Sequence, residues 1–288
     1  MRLSSAADSY MAIANIAPIH SHRHGHKGIK MSNLFILFII FCMGACIGSF
    51  LNVCIWRVPR SESIVSPGSR CPQCSTPIRF YDNIPILSYI LLMGKCRHCK
   101  SGISIRYPLV EGLTGVLAMA AAFRFGLTLD FLIYFIFISV LVTVTFIDLD
   151  LQIIPDVISL PGIPIGLAAS LVLTTVTFKD SLIGALVGGG SLFLVAWGYY
   201  YFTKKEGMGG GDIKLLAMIG AFIGWQGVFF TIFIASAVGS VTGAILMLFA
   251  KKDLKFAVAF GPFLALGALA YLFVGPELID WYYHSAFR

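Results

Sequence analysis

Charge is what this sequence lacks. Only 12% of its 288 residues are Asp, Glu, Lys or Arg, against about 25% in typical soluble domains. Acids are the scarcest, 14 against 21 basic residues, for a net charge of +7. Other absences narrow the field further. The glycine-rich stretch at 207–212 lacks the Gly-Lys-Ser/Thr ending of a P-loop, which argues against a phosphate cradle. No Rossmann fingerprint occurs anywhere, and no convincing internal repeat. No small-residue cleavage site follows the first apolar stretch, so that stretch does not read as a secretory signal.

What is present is apolar. Hydrophobic residues make up 58% of the chain and fall in blocks near the ~20 residues of a membrane span. Spans are expected near 33–55, 107–125, 129–148, 157–176, 181–202, 213–224, 227–250 and 258–275. The sixth is too short to cross alone. It is expected to be tilted, broken, or joined irregularly to the seventh through Gly224-Trp225-Gln226-Gly227. The fold class is thus an all-α polytopic membrane protein of about eight transmembrane helices, with a small loop domain between the first two. Lipid is its surrounding partner.

Basic residues set the orientation. Arg57, Arg60, Arg70, Arg79, Lys95, Arg97, Lys100 and Arg106 crowd the first long loop. Lys204, Lys205 and Lys214 flank the glycines, and Lys251, Lys252 and Lys255 separate the last two spans. The positive-inside rule makes these loops cytoplasmic and puts both termini outside. The positive charge is then mostly topology, and a nucleic-acid partner is not expected. Residues 1–30 fit this frame poorly. Their stretch from His20 to Lys30 is basic yet on the outer side, and reads as a solvated tail or as an extension ahead of a start at Met31. Its histidines lack the Cys or acidic companions of a metal site.

Four of the seven cysteines form Cys71-Pro72-Gln73-Cys74 and Cys96-Arg97-His98-Cys99. That spacing is near that of a zinc ribbon, with four thiolates around one structural ion. A redox dithiol pair is the competing use, but a reducing cytoplasmic loop argues against disulfides. A loop of this size cannot build a large core and needs a staple. Cys42, Cys46 and Cys54 lie in or beside the first span and read as small hydrophobes.

Two aspartates carry the chemistry. Asp148 closes one apolar run, and Asp212 follows Gly209-Gly210-Gly211 and opens another. A carboxylate at a membrane boundary is costly and by default a functional candidate. Two together suit acid and base activation of water against a peptide bond. Asp156 is expected to be a helix N-cap, and Asp150 a solvated loop residue. Asp212 could also be no more than an N-cap. Lys214 is read as a topology anchor or an attractor for a substrate acid. Glu111, one turn into an apolar helix, is either functional or a partner for Arg106.

These residues together resemble the bacterial type IV prepilin peptidases, which share a Gly-x-Gly-Asp motif with intramembrane aspartyl proteases. The likeness rests on Gly-Ser-Phe-Leu-Asn at 48–52, both Cys pairs and Tyr-Asp-Asn-Ile-Pro at 81–85. It continues through Arg-Tyr-Pro-Leu-Val-Glu at 106–111, Asp-Leu-Asp-Leu-Gln-Ile-Ile-Pro-Asp at 148–156 and Gly-Met-Gly-Gly-Gly-Asp-Ile-Lys at 207–214. The resemblance implies a bifunctional enzyme of the bacterial inner membrane with its active site at the cytoplasmic face. One reaction removes the leader of type IV prepilins or pseudopilins. The other methylates the new N-terminal amine with S-adenosylmethionine. Asp148 and Asp212 match the catalytic pair, and Cys71, Cys74, Cys96 and Cys99 the zinc ligands. Gly94, Lys95, Asn52, Arg57 and Glu111 are candidates for the methyl donor. The implied organisation is an extension at 1–30, a first span at 31–56, a four-cysteine zinc domain at 57–106 linked to methyl transfer, and a peptidase core at 107–288.

Two carboxyls in one site share a proton at lower cost than both ionising. Helix-end fields then suggest Asp212, at a helix start, as resting base, and Asp148, at a helix end, as resting acid, by only about 0.3–1 kcal/mol. A proton-coupled transporter is the rival from another class, and so is a scaffold docking a partner on its zinc loop. Transporters place their acids near the midplane, whereas these two fall at one boundary.

Overall fold

Apolar blocks separated by Gly, Pro and basic turns fold into helices throughout the computed structural model, which describes residues 34–205, 208–250 and 259–286. The histidine-rich stretch, Met31, Gly207 and the lysines at 251–255 lie outside the described residues. The helices are α1 (Leu34–Arg57), α2 (Leu87–Leu91), α3 (Arg106–Phe125), α4 (Leu129–Leu151), α5 (Asp156–Ala169), α6 (Phe178–Thr203), α7 (Gly210–Ala250) and α8 (Gly261–Ala286). Among the described residues there is no β-strand, only two isolated antiparallel bridges in the cysteine loop.

Six helices are long and apolar enough to cross a membrane: α1, α3, α4, α6, α7 and α8. Two differences from the expected spans are instructive. The sixth and seventh run together as α7, whose one non-helical residue is Gly224 (φ 73°, ψ 176°), a conformation open to glycine. The break falls where the sequence placed the irregular joint. The fourth span is shorter than expected. α5 has only 14 residues and stops at Ala169, because the chain beyond is held elsewhere: Asp130 of α4 accepts both the N–H and the hydroxyl of Thr174.

Small residues set how closely the helices pack. A Cβ added at Gly44 would stand 2.7 Å from Ala118 Cβ, and one at Gly48 2.8 Å from Glu111 Cα, so α1 and α3 touch nearly backbone to backbone. Gly184 and Gly188 of α6 lie the same way against the backbone of α7 at Gly220 and Leu216. This is the small-xxx-small contact that membrane helices use for close approach. α5 repeats it with Gly162 against Met218 and Gly166 against Ala221. The main core gathers Phe137, Ile138, Leu141, Leu215, Leu216, Met218, Ile219 and Leu264 from α4, α7 and α8. Rigid helix ends at one edge of that core carry the acids.

Candidate active site

Asp148 sits in the last turn of α4 and is 4% exposed. Gln152 then adopts a left-handed conformation, and its N–H closes the helix on the Asp148 carbonyl. The carboxylate reaches away from α4: its Oδ2 accepts the N–H of Gly261, the first residue of α8, at 2.9 Å. A helix N-terminus stabilises negative charge. α8 therefore supplies Asp148 with the support that its own helix end denies. The helix-end argument that separated the two acids no longer does so.

Asp212 lies in the first turn of α7, partly buried, with the helix start beside it brought against Ile154. It is not an N-cap, because helix α7 already begins at Gly210. Two glycines make the approach possible. A Cβ on Gly261 would stand 2.6 Å from Asp148 Oδ2, and one on Gly211 would stand 2.9 Å from Ile154 Cβ. Ile154, in the connection from α4 to α5, thus fills the notch between the starts of α7 and α8.

The competing acids are occupied. Asp150 pairs with Arg106 at the start of α3, so it is not merely solvated. Asp156 is the first residue of α5 rather than its N-cap, which is Pro155. Its carboxylate takes two hydrogen bonds from Lys214, at 2.7 and 2.8 Å. Glu111 is not Arg106's partner either. It is 7% exposed and accepts the N–H of Ile86 at 2.8 Å. Ile86 has φ 62°, uncommon and strained for a β-branched residue, and the bond to Glu111 holds it there.

The four loop cysteines converge. Their Sγ atoms all lie within 4.8 Å of one another, and Cys71 and Cys99 approach to 3.7 Å. A tetrahedral ion with bonds of about 2.3 Å needs edges of about 3.8 Å, so the set fits zinc. Each pair rests on the same turn: Ser75 N–H bonds Cys71 O and Lys100 N–H bonds Cys96 O, with Ser75 and Lys100 both at positive φ. The N–H groups of Cys74 and Gln73 pull the Cys71 thiol down to about 6, ready as a thiolate ligand. Asp82 and Arg97 tie the stretch between the pairs to the second turn at 2.6 Å, which holds the Asp82 carboxyl below its usual range.

A cavity of about 340 Å³ opens between α1 and this loop, lined by Ser49, Phe50, Arg57, Pro67, Asn83 and Pro85 among others. Arg57 shapes its rim by donating to the carbonyls of Ser63 and Pro67 at 2.9 and 2.7 Å.

Residues 42–125 match the bacterial peptidase A24 N-terminal domain, and residues 135–244 match the type IV leader peptidase family. This chain belongs to the type IV leader peptidase family. A relative from Myxococcus xanthus is 42% identical over 229 residues, covering 80% of this chain and 67% of that protein. One from Pseudomonas putida is 35% identical over 272 residues, covering 87% and 94%. One from Neisseria gonorrhoeae is 41% identical over 244 residues, covering 76% and 84%. All three are named prepilin leader peptidase/N-methyltransferase. No solved structure matches the chain.

Asn52, Arg57, Gly94, Lys95 and Glu111 were the candidates to hold the methyl donor. Arg57 alone of them lines the cavity. Asn52 is buried between α1 and α3, donating to Gly48 O and Tyr107 O. Gly94 packs on the Tyr89 ring at φ 65°, and Lys95 is exposed beside the second cysteine turn. Ser49 and Asn83 entered the sequence analysis only within the motifs at 48–52 and 81–85, and Gly261 was not singled out. The Gly261-Pro262 step was a legible helix start, but nothing local shows that its N–H meets Asp148.

Proposed function

We propose that this enzyme removes the leader of type IV prepilins or pseudopilins and then methylates the amine it has exposed. The observation that supports the reading is Ile154 packed against both Gly211, next to Asp212, and Gly261, whose N–H bonds Asp148, while Asp150 and Asp156 are paired with Arg106 and Lys214. The pair acts as one unit holding one proton. The ionised carboxyl takes a proton from water as its oxygen adds to the scissile carbonyl carbon. The protonated carboxyl gives its proton to the carbonyl oxygen. Collapse of the tetrahedral species breaks the C–N bond, and the leaving amine takes up a proton. The Gly261 N–H keeps Asp148 oriented through this exchange.

By the positive-inside rule, the basic loops put the acids at the cytoplasmic face of the inner membrane. A prepilin there leaves its apolar helix among the spans and brings its scissile bond to the rim. Residues 57–106 serve the second reaction and 107–288 the first. Cys71, Cys74, Cys96 and Cys99 would hold zinc, which supplies a cross-link in place of a core. S-adenosylmethionine is the methyl donor, and the cavity beside Arg57 is the space offered to it. Bound there, it would supply an electrophilic methyl group to the newly exposed amine. Incubating the purified protein with a prepilin and S-adenosylmethionine should yield a pilin without its leader and one methyl heavier. An intact prepilin from folded enzyme would overturn the reading.

A further inference from the structure

Three contacts enclose the aspartate pair, and two of them are fixed by backbone. Asp148 is held by the Gly261 N–H at 2.9 Å. Ile154 is wedged against both Gly211 and Gly261. The third is the ion pair between Lys214, two residues after Asp212, and Asp156, the residue that opens α5. It joins the segment carrying one acid to the segment that leaves the other. We infer that Lys214 and Asp156 are positioning residues for leader cleavage, closing a ring that sets the spacing of Asp148 and Asp212.

The path supports this. From Asp148 the chain ends α4 at Leu151, turns through the left-handed Gln152, seats Ile154 and starts α5 at Asp156. From there Lys214 leads back to Asp212 within one helical turn. The start of α7 rests on Ile154 at Gly211 and on the core through Met208 and Ile213, and the ion pair ties it to the start of α5. Both partners are partly exposed, with side chains 36% and 57% accessible, and such pairs add little to stability. Geometry at a reacting site is another matter, since a displacement of about 1 Å can cost about a hundredfold in rate. The pair therefore matters to rate far more than to folding.

The inference rests on the leader-cleaving reading. The test measures cleavage of a prepilin by full-length enzyme in detergent, for the wild type, Lys214→Met, Asp156→Asn, Lys214→Arg and the swapped pair Lys214→Asp with Asp156→Lys. Melting temperature is followed in parallel. Both single neutral variants should lose about tenfold or more in kcat, with KM within about twofold and melting nearly unchanged. Lys214→Arg and the swapped pair should recover to within about threefold of wild type. A wild type that fails to cut would sink the cleavage reading itself. A cutting wild type with full-rate single variants, a loss seen only in KM, or a swap as slow as the singles would overturn the positioning role.

Discussion

The cysteine loop and the aspartate site solve opposite problems. Between residues 58 and 105 only Cys71 and Ser88 are buried. That segment is held by two matched turns, an Arg97–Asp82 pair and four converging thiols. The aspartate site stands on the densest part of the molecule, where Leu215, Leu216, Ile219 and Leu264 are fully buried. One unit has no core and brings four thiols together instead. The other needs glycines because its core packs backbone against backbone and leaves no room for side chains near the acids. Their dependence on perturbation should differ accordingly.

The sharpest break is Asp148→Asn or Asp212→Asn. Either should lower leader cleavage by about a thousandfold or more, while methylation of a pilin supplied without its leader continues. Next is Cys71→Ser, or zinc removal by a chelator. Metal analysis should show one zinc per chain lost, and methyl transfer with it, because a loop without a core folds on its metal. Cleavage should persist within a few-fold. Third is Gly261→Ala, whose Cβ would stand 2.6 Å from Asp148 Oδ2. Cleavage should fall roughly tenfold by displacement of that carboxylate, with zinc content unchanged.

The smallest effect is expected at Asp82→Asn. Arg97 holds that carboxyl below its usual range. Its contribution is therefore complete at neutral pH and disappears as pH falls through the carboxylate range. The variant should melt slightly earlier at neutral pH and lose this acid dependence.

The comparison also marks what the sequence could show. Helical blocks, the break at Gly224 and the cluster of four cysteines were legible, because hydrophobic length, glycine and cysteine spacing are local signals. So were the two aspartates, through their placement at block ends. What was not legible is tertiary. Asp156 and Asp150 found Lys214 and Arg106 across gaps of 58 and 44 residues. Asp148 found the amide of Gly261 across 113. α5 ended early because Asp130 captured Thr174, a contact no periodicity encodes. Of the donor candidates Arg57 lines the cavity, beside Ser49 and Asn83, because motif proximity is not spatial proximity.

We propose that two separable units perform the two successive reactions. This is tested most directly by weighing the pilin product made by wild type, Asp148→Asn and Cys71→Ser enzymes, each given a prepilin and S-adenosylmethionine. The account predicts a cut and methylated product, an intact prepilin, and a cut but unmethylated product, in that order. An intact prepilin from the Cys71→Ser enzyme, with its melting transition retained, would show that the halves do not work apart and would contradict the account.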